Sequence, residues 1–147
     1  MSRTIRRIVC HHTDSAPTTD AATIRGWHVD GNGWSDIGYH WVIRQTADGE
    51  WMTEQGRPES RTGSHARGSN SDSIGIVVSG RYTDAPLPES AELMLCAFVA
   101  AKCLDYGLGA QDVYGHREVM APGYTVCPGY DMDRIRDRVA GYLRAAR

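Results

Sequence analysis

The feature that most constrains this chain is Ile74-Gly75-Ile76-Val77-Val78, five consecutive residues without a polar side chain. A half-exposed strand alternates apolar and polar residues. A short unbroken apolar run rich in β-branched types reads instead as a buried strand. Residues 5–10 have the same character and end in Ile8-Val9-Cys10. Tyr39-His40-Trp41-Val42-Ile43 supplies a third strand. Residues 51–53 return from it across Ala47-Asp48-Gly49, a hairpin turn in which Asp-Gly tolerates positive φ. Val113-Tyr114 makes a short fifth strand. Helices fall between these runs. Asp20 caps one over about residues 21–29. Pro88 opens a second, with Leu93, Cys96, Phe98, Val99, Cys103 and Leu104 as its apolar stripe and Gly107 at its end. Asp131 starts a third, with Ile135, Val139 and Leu143 on one face. This order predicts an α/β fold, a single mixed central β-sheet flanked by helices.

The chain has 147 residues, so one domain spanning 1–147 is expected. A chain of this size buries about two-thirds of its unfolded surface, enough for a core without disulfides. No apolar run approaches the ~20 residues a membrane span needs, and a formal net charge of −2 argues against a nucleic-acid partner. The start, MSRTIRRIVCHH, has too short an apolar stretch for a signal peptide. Synthesis in a cytosol is therefore expected, with Cys10, Cys96, Cys103 and Cys127 as free thiols. Cys10, Cys96 and Cys103 sit in apolar segments and read as buried core residues.

Chemistry enters through the histidines. His11 and His12 lie where the first strand ends, His116 follows Val113-Tyr114, and Cys127 lies in a loop with Pro128 and Gly129. Strand ends bring distant residues to one sheet edge. Two imidazoles and one thiolate are a legitimate donor set for zinc, and three protein ligands leave a position for water, the catalytic arrangement. A strand-end His is equally an ordinary hydrogen-bonded residue, and a Cys before Pro-Gly an ordinary buried one. Spacing alone leaves both readings open. Residues 56–73 form a long polar stretch, which in a compact domain is either functional or disordered.

A resemblance then narrows the field. Ile8-Val9-Cys10-His11-His12-Thr13, Trp27-His28 and Gly33-Trp34-Ser35-Asp36-Ile37-Gly38-Tyr39-His40 resemble the zinc-dependent N-acetylmuramoyl-L-alanine amidases. That family includes amidase-type phage lysozymes and animal peptidoglycan recognition proteins. The likeness continues through Gly63-Ser64-His65-Ala66, Ser73-Ile74-Gly75-Ile76, Gly115-His116-Arg117-Glu118-Val119 and Cys127-Pro128-Gly129, over roughly residues 5–146. It implies one Zn²⁺ per chain held by His11 (rather than His12), His116 and Cys127. It implies Tyr39 and Thr125 as catalytic residues and His65 as a groove histidine. Bacterial peptidoglycan is the implied partner. Trp34, Arg67 and Asn70 join His65 as expected substrate contacts, with Arg57 and Ser64 supplying further groove donors. Trp27 and Trp34 read either as sugar-stacking surfaces or as core.

Thr125 stands where one branch of the family has lysine. The strand Ile76-Val77-Val78 carries no carboxylate, unlike the cytosolic recycling branch, where a glutamate stands there. The expected activity is hydrolysis of the bond between N-acetylmuramic acid and L-alanine by a monomeric, single-domain phage endolysin. It would be made in the host cytoplasm and reach the wall after holin-mediated release. A muropeptide-recycling amidase, a non-catalytic peptidoglycan-binding module and a polymerase regulator are the competing readings.

Overall fold

The computed structural model describes residues 3–147. Five strands form one sheet: β1 (Arg7–His12), β2 (Trp41–Gln45), β3 (Trp51–Gln55), β4 (Ser73–Val78) and β5 (Val113–Gly115). Their order across the sheet is β3-β2-β4-β1-β5. β4 runs parallel to β1 and β2, β5 runs parallel to β1, and only the β2–β3 hairpin is antiparallel. The three helices are α1 (Ala21–Gly26), α2 (Glu89–Tyr106) and α3 (Met132–Ala146).

Strand pleating divides the chain between the two faces. Ile8, Cys10, Ile74, Ile76 and Val78 point to one face, where α2 and α3 cover them with Leu95, Val99, Ile135 and Val139. Burying each such aliphatic side chain contributes about 1.5–3 kcal/mol. The intervening β4 residue Val77 points to the other face and packs with Val42, Ile37 and Ile24 of α1. That second face is more thinly covered and carries His11, Ser73 and Gly75, so the fold leaves polar groups there.

Several expectations shift. β1 begins at Arg7 and runs on through His12, so both histidines lie within the strand. α1 stops at Gly26, and a π-helical turn, Trp27–Gly31, continues it. Asp20 caps α1 as expected, accepting from the Thr23 N–H at 2.9 Å. Pro88 is the N-cap of α2 rather than its first residue. On α2 the expected stripe is partly wrong: Leu93 and Leu104 are 41% and 47% exposed, whereas Leu95 and Ala91 are buried. The helix is apolar nearly all round, so its sequence does not set which face turns inward. α3 has one apolar face only, and Ile135, Val139 and Leu143 are buried as expected. All four cysteines are free and buried.

Residues 56–73 are ordered rather than loose. The Arg3 guanidinium donates to the carbonyls of Glu59, Asn70, Ser71 and Ser73. The Glu59 carboxylate meets Lys102 Nζ on α2 at 2.6 Å and accepts from Trp41 Nε1 and Tyr106 Oη. Burial works against the Glu59 charge, but these donors hold its carboxyl below the ordinary value. Among the described residues no helix is long and apolar enough to cross a membrane.

Candidate active site

Because β1 alternates, its two histidines face opposite ways. The His12 ring turns to Tyr82, whose N–H donates to His12 Nδ1 at 3.1 Å. The His11 ring turns to the polar face, where His116 and Cys127 meet it. One ligand atom from each of His11, His116 and Cys127 lies within 4.8 Å of the others. Cys127 Sγ is 3.8 Å from His11 Nδ1. Pleating thus puts His11, and not His12, in the cluster with His116 and Cys127.

Hydrogen bonds outside the cluster hold the three residues together. His116 follows β5 directly and opens a 3₁₀ turn, His116–Glu118. Glu118 accepts from the Gly115 N–H and binds Arg136 of α3 through both carboxylate oxygens, which fixes that turn. The Arg117 N–H donates to the Cys127 carbonyl at 2.7 Å, joining the segment that carries His116 to the one that carries Cys127. The His12 N–H donates to Cys127 Sγ at 3.3 Å, and Tyr130 Oη donates to the His11 carbonyl.

Electrostatics suit a metal. Burial lowers the pKa of His11 and His116, so both imidazoles are neutral with a lone pair to offer. Burial pushes the Cys127 thiol up to about 11, while the His12 N–H and the Arg117 charge favour its thiolate. A buried thiol against two neutral imidazoles is a donor set that a divalent, thiophilic cation satisfies, and zinc is the common one.

A groove of about 420 Å³ shares His116 with the cluster. Trp34, Tyr39, His65, Arg67 and Asn70 all border it, as does His116. The Tyr39 ring centroid is 5.0 Å from that of His11. Burial raises the Tyr39 phenol well above its ordinary value, so it remains a hydrogen-bond donor at neutral pH. Thr125 Oγ1 accepts from the Cys127 N–H at 3.1 Å, which leaves its O–H free to donate. Trp34 is 37% exposed and Trp27 is 45% exposed, so neither is core; of the two, only Trp34 reaches the groove.

Three expected groove residues spend their polarity internally. Asn70 Oδ1 accepts from the N–H groups of His65 and Ala66, shaping the loop. Arg57 turns away and donates to the carbonyls of Ile37, Asp36 and Thr62. His65 borders the groove but is buried, with Nδ1 2.9 Å from His11 Nε2. His28, Met120 and Tyr124, for which the sequence predicts no role, also line the groove. His28 accepts from the Gly38 N–H at Nδ1, and its ring lies tilted against those of Trp34 and Tyr39 at centroid distances of 4.7 and 5.6 Å. Its pairing with Trp27 in the motif was the available signal. Tyr124 is strongly exposed in a loop of weak pattern and had none.

A mixed sheet with two helices behind it, and a His–His–Cys cluster that shares His116 with a polar groove, point to the class of the phage endolysins and peptidoglycan recognition proteins. The comparisons agree. Residues 1–130 match the N-acetylmuramoyl-L-alanine amidase family model. The chain is 34% identical over 133 residues to an endolysin of Escherichia phage T7, covering 85% of this chain and 80% of that protein. It is 34% identical over 130 residues to peptidoglycan-recognition protein SC2 of Drosophila melanogaster, covering 82% of this chain and 66% of that longer protein. Among solved structures, the N-acetylmuramoyl-L-alanine amidase LysC from Clostridium intestinale superposes with a TM-score of 0.80 at 29% identity, covering 93% of this chain and 86% of that one. The chain belongs to the N-acetylmuramoyl-L-alanine amidase family, and its kinship is with the peptidoglycan amidases.

Proposed function

We propose that this chain acts as an endolysin, cleaving the amide between the lactyl group of N-acetylmuramic acid and L-alanine of the stem peptide. The observation that carries the reading is the convergence of His11, His116 and Cys127 within 4.8 Å, with His116 also lining the groove. Those three would hold zinc, which when bound polarises a carbonyl and lowers the pKa of a water toward neutrality.

The chain's own groups do the rest. Tyr39 Oη, kept protonated by burial, donates to the oxygen on which negative charge develops. The Thr125 hydroxyl supplies a second donor. The nitrogen leaving with alanine needs a proton, and Tyr39 Oη is its assigned relay: it would pass its proton to that nitrogen and take back the one the attacking water loses, so the buried phenol ends as it began. Trp34 offers a flat face to a sugar ring, and Arg67, exposed at the rim, a cation to stem-peptide carboxylates. An intact cysteine ligand supports catalysis over mere binding. The absence of a carboxylate at Ile76-Val77-Val78 supports wall lysis over recycling. The protein is assigned as a monomer of one catalytic domain, made in the host cytoplasm and released to the wall by a holin.

Mass spectrometry of cell wall digested by the zinc-loaded protein tests this. Free stem peptides beginning with L-alanine are expected. Cut glycan strands, or intact sacculi left untouched while soluble fragments are hydrolysed, would overturn the endolysin reading.

A further inference from the structure

We infer that His65 and Ser73 form a positioning relay that fixes the tautomer and ring plane of His11; this deepens the zinc reading and rests on it. The two nitrogens of His11 have separate neighbours. Nδ1 faces Cys127 Sγ at 3.8 Å, and Nε2 faces His65 Nδ1 at 2.9 Å. A ligating Nδ1 offers its lone pair, so the ring proton sits on Nε2 and is donated to His65. His65 Nδ1 is then the acceptor, and its own proton sits on Nε2, 3.1 Å from Ser73 Oγ. One direction of donation, His11 to His65 to Ser73, satisfies both bonds.

His65 is held to this task. Its ring fills the space a side chain at residue 75 would need: a Cβ on Gly75 would stand 2.6 Å from ring carbons. Gly63 allows the same closeness on another side, at 2.8 Å. Asn70 Oδ1 accepts from the His65 N–H and fixes its backbone. Ser73 is fully buried at the start of β4. With both ring nitrogens engaged, His65 has no free polar atom for a substrate. Metal-bound histidines ordinarily have their second nitrogen anchored by a carboxylate, a carbonyl or water. Here a neutral imidazole does that work and brings no charge to the site.

Zinc affinity separates this from a groove contact. His65→Leu removes the acceptor at similar bulk; His65→Asn keeps an acceptor near the Nδ1 position. Folding is checked by thermal melts, zinc affinity by competition with a chromophoric chelator, and the His11 tautomer by imidazole ¹⁵N shifts. His65→Leu is expected to bind zinc about 10–100-fold more weakly, with His65→Asn recovering most of the loss. Ser73→Ala is expected to lower the Nε2–H fraction of His11 in the zinc-free protein. A folded His65→Leu with wild-type zinc affinity and only a raised KM would overturn the relay and make His65 a substrate contact. Should His65→Leu not fold, an unchanged His11 tautomer together with undiminished zinc binding in Ser73→Ala overturns it. Wild-type protein that takes up no zinc overturns the reading beneath it instead.

Discussion

His11 and His12 are the same side chain at adjacent positions, and the pleat of one strand gives them different work. His11→Ala is expected to abolish stoichiometric zinc uptake and turnover. His12→Ala is expected to retain zinc while costing about 1–3 kcal/mol of stability, because the buried Tyr82 N–H loses its acceptor. Zinc content by mass spectrometry and a denaturant melt distinguish the two; equal zinc loss in both variants would contradict the assignment. Tyr39→Phe removes one donor aimed at developing charge and should lower kcat by about 10²–10³ with zinc content unchanged. Near-normal turnover in that variant would remove Tyr39 from the chemistry. The three clustered residues and Tyr39 were legible because each sits in a local motif at a strand end or loop. His65's contact with His11 was not, since 54 residues separate them and no local pattern records the pairing.

At the scale of elements, β4 was the most legible piece, and it also sets the site's geometry. Its odd-numbered residues, Ser73, Gly75 and Val77, face the same side as His11, and Gly75 leaves room for the His65 ring. Gly38, in the segment leading into β2, plays a comparable part, since a Cβ there would stand 2.1 Å from the Ser64 carbonyl oxygen. That close approach lets Ser64 donate to the Gly38 carbonyl at 3.0 Å and lays the polar loop along the groove. Gly75→Ala should therefore force the His65 ring aside. The expected result is a loss of about 1–3 kcal/mol from overpacking together with weaker zinc binding. Calorimetry with and without zinc reads both, and an alanine variant matching wild type in each would show that the ring has room to spare. The phase of α2 was not legible for the opposite reason to β4. A strand's pleat leaves two choices of face, whereas a helix apolar on most sides leaves its inward face to be decided by partners far away in sequence.

At the scale of the whole molecule, the six histidines act together. Burial lowers the pKa of His11, His12, His28, His40, His65 and His116 from the ordinary 6.5. The unfolded chain therefore takes up protons below about pH 6.5 that the folded chain refuses, and stability rises with pH through that window. The contribution is complete above 6.5 and is lost progressively as pH falls toward the lowered values. The carboxylates with lowered pKa, Asp20, Glu59 and Glu118, have ordinary values of 3.8 to 4.5, so their loss belongs to more acidic conditions. Between pH 6.5 and 5 the histidines dominate. Protein stripped with a chelator should thus melt at a clearly lower temperature at pH 5 than at pH 7.5, at constant ionic strength. Zinc at a hundred times its Kd should restore about 2.7 kcal/mol at pH 7.5. The restoration should shrink at pH 5, where protons compete for His11, His116 and Cys127. A melting temperature flat across this range in the stripped protein would mean that the imidazoles are solvated in the fold, and the polar face of the sheet would not be the dry, preorganised site its burial describes.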